Sequence, residues 1–393
     1  MKVPRVIVVS NALDDETRTE RGISTDSPAA SRKVFQLCAA VRKAGVRPCV
    51  LSLGRGRTGG SRAYFSSRVR RVNGVPVIYA PFSKVRGLSE LISLFAPAGI
   101  AIRLRAHRPT AMIFYNREVA YLPTLLTAAL LNFRRVLDLE DGEVGRDGRG
   151  LASWAHRNMC RLYDRLCSTG ALLACSALSA MTSVRPILCY YGTAEGSVSG
   201  VRWEARNISA MLGGTLAPDT GADVLIDAIQ SLRRAKPAWA ERLHIEVTGK
   251  GPSLDALSAL AASSEFPSVR VHGRTTNDEY KSILARCEVG LALKPRGGPL
   301  ANTTFPSKVV ELASAGLLVV TTDISDVRAV LGEGALYLIR DDPDELVESM
   351  RRAVEHPVEA RAIAEIGQRA VWARCAPDAA GRSVADFIFR SPA

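Results

Sequence analysis

Four stretches in the second half of this 393-residue chain combine glycines, hydroxyls and cations in a way that suits an anionic ligand. LGGTLAPDTGADVL (212–225) holds Gly214 and Thr215, and TGKGP (248–252) holds Lys250. VHGRTTNDEY (271–280) carries Gly273 and Arg274. NTTFPSKVVELASAG (302–316) carries Thr303, Pro306, Ser307, Lys308 and one carboxylate, Glu311. Glycines let backbone N–H groups approach a phosphate closely, and a helix N-terminus adds the positive end of its dipole. The N–H groups of Ser307 and Lys308 are therefore placed for a diphosphate. Glu311 lies a turn deeper, where a carboxylate can accept two hydrogen bonds from a vicinal diol such as ribose. Its plainer reading is a first-turn partner of the helix dipole, worth a few tenths of a kcal/mol.

These loops need a scaffold, and the hydrophobic pattern supplies one. RVIVVS (5–10) reads as a strand followed by a long polar loop, and SPAASRKVFQLCAAVRKAG (27–45) as a helix with Val34, Leu37, Cys38 and Val41 on one face. Asp26 or Ser27 caps it, Pro28 suits its first position, and Gly45 stops it. Strands follow at RPCVLSL, VPVIYA, TAMIFY and RRVLDL, with helices between. A second series starts near residue 206: NISAMLGG, GADVLIDAIQSLRRAK, HIEVTG, SLDALSALAAS, SVRVHG, NDEYKSILARC, VGLAL, LLVVTT and a helical region from 344. Asn277 or Asp278 is placed to cap the NDEYKSILARC helix. Strand-helix alternation means parallel sheets covered on both faces, and in such sheets ligands collect at the carboxyl ends of the strands. The expected domains are 1–200 and 201–372, with a tail, 373–393, free to return to the first.

Composition is that of a globular protein, 47% hydrophobic and 23% charged. The apolar run after Lys2 is too short for an export signal and no stretch is long enough to span a membrane, so a cytoplasmic location is expected. Eight cysteines form no CxxC pair and match no zinc spacing, so reduced, mostly buried thiols are expected. The net charge of +13 is uneven: residues 1–200 hold 29 Lys and Arg against 14 Asp and Glu. Positive charge is dense in RGRTGGSRAYFSSRVRR, from Arg55 through Arg57 and Arg70 to Arg71, interrupted by Tyr64 and Phe65. Such a patch attracts anions, acidic lipid headgroups among them; a solvated loop is the alternative. No nucleic-acid recognition motif accompanies it. No GxGxxG follows the first strand, which argues against a nicotinamide-dependent dehydrogenase.

GGTLAPDTGADVLIDAI, EVTGKGP, VRVHGRTTNDEYKSILARCEVGLAL and FPSKVVELASAGLLVVTTD follow one another as in family 4 glycosyltransferases of the GT-B fold, which this chain resembles over roughly residues 206–345. The resemblance implies two Rossmann-like, doubly wound domains facing each other across a cleft. It implies a nucleotide-sugar donor held by the C-terminal domain, with its base near Gly273 and Arg274, its ribose on Glu311 and its diphosphate at Ser307 and Lys308. It implies a hexosyltransferase that needs no metal or other cofactor and retains anomeric configuration. Phrases such as FYNREVAYLP and LDLEDG resemble the acceptor loops of bacterial enzymes that build polysaccharide or glycolipid, so the acceptor is expected to be a glycan or polyprenyl-linked sugar. Reacting groups are then sought in Glu118, Asp141 and Lys308, with Glu140 beside them.

The chain departs from the family at three places. A glutamate eight positions before Glu311 is replaced by Thr303, and two phosphate-directed cations are replaced by Thr215 and Thr220. Either Lys250, Lys294, Arg296 and Lys308 substitute for them, or the chain is a scaffold that has lost part of its donor site. Glu118, Glu140 and Asp141 follow strands and can bind acceptor hydroxyls or act as general base, or they are ordinary loop charges. The basic segment with Tyr64 and Phe65 is expected to dock on anionic membrane, and nucleic acid is not expected as a partner.

Overall fold

The computed structural model describes residues 3–59, 62–85, 87–105, 109–142, 150–196, 200, 201, 203, 207–298 and 301–390. Gly60 and Ser61 of the basic stretch lie outside them. The chain forms two compact units, residues 1–193 together with 377–393, and residues 194–376.

The first unit runs β1 (Arg5–Ser10), α1 (Asp15–Glu20), α2 (Pro28–Lys43), β2 (Arg47–Ser52), β3 (Tyr64–Phe65), β4 (Arg68–Val72), β5 (Val75–Tyr79), β6 (Phe82–Ser83), α3 (Leu88–Arg103), β7 (Thr110–Tyr115), α4 (Leu122–Leu130), β8 (Arg134–Leu139), α5 (Leu151–Leu166), β9 (Gly170–Leu173) and β10 (Ile187–Cys189). Its main sheet has the order β10-β9-β8-β7-β1-β2-β5-β4, parallel throughout except for β4. Val6 to Val9 are wholly buried, as a strand covered on both faces requires. Ser27 caps α2 by accepting from the N–H of Ala30, and Val34, Leu37, Cys38 and Val41 form its buried face.

The second unit runs β11 (Ile208–Thr215), α6 (Ala222–Ala235), β12 (Leu243–Lys250), α7 (Leu254–Ala261), β13 (Ser268–Val271), α8 (Asn277–Leu284), β14 (Val289–Ala292), α9 (Lys308–Ser314), β15 (Leu318–Thr322), α10 (Val327–Leu331), β16 (Ala335–Leu338), α11 (Pro343–Glu355) and α12 (Pro357–Cys375). Its sheet, β13-β12-β11-β14-β15-β16, is fully parallel. The chain then returns to the first unit as α13 (Pro377–Arg390), which packs on α2.

Several local readings are corrected. The polar loop after β1 contains α1, capped by Asp14, whose carboxylate accepts from the Thr17 N–H at 2.8 Å. Part of the basic stretch is an edge strand, because β4 pairs antiparallel with β5. Thr276, rather than Asn277 or Asp278, caps α8, and the Thr276 N–H donates to the Glu279 carboxylate at 2.8 Å. Among the described residues, no helix is long and apolar enough to cross a membrane.

Candidate functional site

In the second unit the strand order reverses between β11 and β14, and the loops leaving these strands flank the position where such sheets bind ligands. β11 ends in Gly213, Gly214 and Thr215, paired with Thr248, Gly249 and Lys250 of β12. Gly249 has φ +137°, and a Cβ there would fall 1.8 Å from the Gly214 carbonyl oxygen. Its N–H donates to the Gly273 carbonyl at 2.7 Å. The glycine of TGKGP therefore brings three loop tips together, at Gly214, Lys250 and Gly273. Lys250 and Arg274 are exposed beside them.

Lys308, the first residue of α9, reaches over the end of β11. Its Cε lies 3.7 Å from where a Cβ on Gly214 would stand. Its Nζ donates to Glu311 Oε2 at 2.7 Å and to the Tyr280 hydroxyl at 2.8 Å, and lies 4.5 Å from the centre of the Tyr280 ring. Burial alone would lower the Lys308 pKa; the Glu311 charge and the Tyr280 hydroxyl outweigh it, and the net shift is upward. Lys308 is thus held as a cation, and Glu311 is the carboxylate that holds it. The side chains remain 30% and 14% exposed, open enough to exchange partners when a ligand arrives.

Around this pair, Pro306 and Ser307 offer carbonyls to the N–H groups of Val309 and Val310, so the helix turn is already formed at Ser307. Thr303 is half-buried, and its hydroxyl has no hydrogen-bond partner. Thr220 accepts from the Ala217 N–H at 3.1 Å and donates to the Thr215 carbonyl at 2.7 Å, closing the turn before α6. The Lys294 N–H is fixed on the Thr322 hydroxyl at 3.1 Å, and the Arg296 N–H on the Asp341 carboxylate at 2.8 Å. Nothing in the sequence marks Tyr280: it lies 28 residues before Lys308, on the buried face of α8, with no local signal to join them.

In the first unit the corresponding reversal falls between β1 and β7. Glu118 and Asp141 are exposed at the ends of β7 and β8. Glu118 is fixed through its backbone, where its carbonyl accepts from the Tyr163 hydroxyl at 2.7 Å. Arg117 turns inward onto Asp164 at 2.6 Å. Glu140 is not a free acceptor ligand: it shares Lys33, from α2, with the wholly buried Asp138. The Lys33 Nζ lies 2.8 Å from Asp138 and between the rings of Tyr115 and Tyr190, at 5.6 and 5.5 Å. Neither Lys33 nor Asp138 stands out in the sequence, because they lie 105 residues apart.

Burial pushes the Glu140 carboxyl up to about 7, with the Asp138 charge adding to the rise and Lys33 opposing it. An unperturbed glutamate titrates at 4.5, so the folded state binds this proton more tightly than the unfolded chain. The group's contribution to stability is complete below 4.5 and is lost as pH rises through about 7. The melting temperature of the wild type, relative to Glu140→Gln, is therefore expected to fall across that window and level off above it. Thermal melts at a series of pH values check this, and a constant difference would refute it.

Residues 206–356 match the protein family described as Glycosyl transferases group 1. The match covers most of the second unit. The matched span contains every residue of the Lys308, Glu311 and Tyr280 cluster. A curated relative, one of the subunits of phosphatidylinositol N-acetylglucosaminyltransferase from Arabidopsis thaliana, is 25% identical over 163 residues, 41% of this chain and 34% of the relative. The aligned segment thus spans about a third of that protein's length. Among solved structures, Anabaena Alr3699/HepE in complex with UDP and glucose aligns at TM-score 0.62 with 14% identity, covering 97% of this chain and 98% of the other. TarM aligns at 0.67 with 8% identity, covering 98% of each. Sucrose-phosphate synthase from Thermosynechococcus elongatus aligns at 0.65 with 11% identity, again covering 98% of each. These similarities show a shared architecture: the chain has the GT-B fold.

Outside the matched span, the basic segment differs from its expected form. Phe65 is 5% exposed and stacks on Phe82 with ring centres 6.0 Å apart, so it is not a docking aromatic. Arg70 pairs with Glu16 and Glu20, and Arg68 with Glu20, which neutralises this end of the patch. Tyr64 stays 50% exposed, Arg57 is exposed and Arg55 half-buried.

Proposed function

We propose that this chain moves a sugar from a nucleotide-sugar donor to a glycan or lipid-linked acceptor in the synthesis of cell-surface polysaccharide or glycolipid. The observation carrying the proposal is the Lys308–Glu311 pair, set against Tyr280 and Gly214 at the strand-order reversal of the second unit. In this reading the ribose diol donates to Glu311, which releases part of its hold on Lys308. The ammonium then turns to the diphosphate and stabilises the charge that develops as the sugar–phosphate bond breaks. Ser307 and the N–H groups behind Pro306 flank the same diphosphate, and Gly273 with Arg274 flanks the base. Lys250 and Lys294 stand in for the cations that Thr215 and Thr220 do not supply. The electrons of the broken bond leave with the phosphate oxygen, and the Lys308 ammonium with the nearby cations neutralises that charge in place of a metal. The anomeric configuration is retained. The exposed Glu118 and Asp141 serve the acceptor, one taking its hydroxyl proton. The UDP named with the Anabaena structure supports a nucleotide-sugar donor.

A thermal-shift screen with UDP-, GDP-, dTDP- and ADP-sugars tests the donor. A ligand at a hundred times its dissociation constant stabilises by roughly 2.7 kcal/mol, so one member of the panel is expected to raise the melting temperature clearly. No shift with any of them would overturn the proposal. A second reading, a GT-B scaffold without turnover, draws on Thr220, whose hydroxyl is spent on its own turn. It predicts donor binding without hydrolysis or transfer.

A further inference from the structure

α3 carries an uncharged apolar stripe facing outward. Leu88, Leu91, Phe95 and Ile102 are 46, 55, 63 and 56% exposed. Their spacing of three, four and seven residues puts them within about 60° of one another around the helix. The single acidic residue of α3, Glu90, is turned back to the Gly87 N–H at the helix start. Scattered exposed apolar side chains are ordinary, but four aligned on one helix form a patch that water covers at a cost.

The stripe adjoins the basic segment. β3 pairs with β6, immediately before α3, placing Tyr64 opposite Ser83. The Lys84 N–H donates to the Ala63 carbonyl at 2.9 Å. The exposed Arg62 and Tyr64 and the half-buried Lys84 thus belong to the structure that leads into the stripe. Two copies meeting at this face would bring like charges together, whereas anionic headgroups would neutralise them.

We propose that α3 is the membrane-docking element, lying in the plane of an anionic bilayer with its stripe in the acyl boundary and Arg62 and Lys84 on the headgroups. A 16-residue helix presents about 24 Å of apolar edge, the geometry of an interfacial helix. This deepens the reading of a lipid-linked acceptor, moving the apolar contact from Phe65 to Phe95.

The test is cosedimentation of the full chain, without donor, with vesicles of phosphatidylcholine alone or doped with phosphatidylglycerol. Binding is expected with the doped vesicles, and Leu91→Ser/Phe95→Ser is expected to weaken it about tenfold or more. Arg62→Glu/Lys84→Glu is expected to remove the preference for anionic lipid, which keeps the proposal open to refutation if the apolar variant misfolds. Equal binding to both vesicles, binding to neither, or a lipid-free dimer that Leu91→Ser/Phe95→Ser makes monomeric would each overturn it. Because no donor is present, failure here leaves the transferase proposal standing, and failure of the donor screen leaves this one standing.

Discussion

Glu311→Ala is expected to weaken nucleotide-sugar binding by about 10- to 100-fold and to take transfer below detection. The range follows from the energy of hydrogen bonds to a charged group, roughly 1.5–3 kcal/mol, where 1.4 kcal/mol is tenfold. The variant loses the diol acceptor and also the carboxylate that places Lys308 over the end of β11. The fold is not at risk, because Glu311 lies on the partly exposed side of α9 and its apolar neighbours Val310 and Leu312 make the buried contacts. Calorimetric titration with the donor found in the thermal screen reads the loss of affinity directly. Glu311→Gln, which keeps an acceptor oxygen without the charge, is expected to fall between. An unchanged dissociation constant in Glu311→Ala would remove Glu311 from the donor site and leave it as the lysine's structural partner.

Asp164→Ala is expected to cost the first unit about 3–5 kcal/mol, the range found when one member of a buried ion pair is removed. Arg117 is 1% exposed in its side chain and Asp164 12%. The carboxylate accepts from Arg117 at 2.6 Å, from the Thr182 hydroxyl at 2.9 Å, and from both the N–H and hydroxyl of Ser183 at 2.7 and 3.0 Å. Alanine removes the charge opposite the buried guanidinium, which keeps its bond to the Met181 carbonyl at 3.2 Å. Urea denaturation followed by tryptophan fluorescence measures the loss. The double replacement Arg117→Met/Asp164→Leu is expected to recover most of it, since uncharged side chains of similar size carry no desolvation penalty. Glu118 follows Arg117 directly, so the single variant is also expected to disturb the end of β7.

The contrast between these two sites explains what could be read from sequence. Strands such as β1 and β11 and helices such as α2 and α6 announce themselves because one period of hydrophobicity runs through them. β4 does not, since RVRRV on a sheet edge keeps Arg68 and Arg71 in solvent and reads as a charged loop. α1 is a six-residue polar helix whose existence depends on the Asp14 cap. Phe65 looks available in the sequence because its burial comes from Phe82, seventeen residues on and across a two-residue pairing. At the candidate site, Glu311 can be picked out, and its partner lies three residues before it in the same stretch, one helical turn away. Tyr280, Lys33 and Asp138 are hidden for a different reason: each acts across a long interval of chain that only the folded sheet closes.

The return of α13 has a consequence for the order in which the chain takes shape. Residue Gly381 sits so close to the Ala40 carbonyl that a Cβ would come within 2.0 Å, and the Arg134 guanidinium donates to the Ile388 carbonyl at 2.9 Å. Buried Val384 and Ile388 belong to the same core as Val34 and Leu37 of α2. The first unit lacks one of its covering layers until α13, which follows the whole of the second unit in the chain, has left the ribosome. The carboxyl-terminal unit, contiguous in sequence, has no such wait. Vectorial synthesis therefore favours the second unit closing first, with the first one completed by α13 as it emerges afterwards.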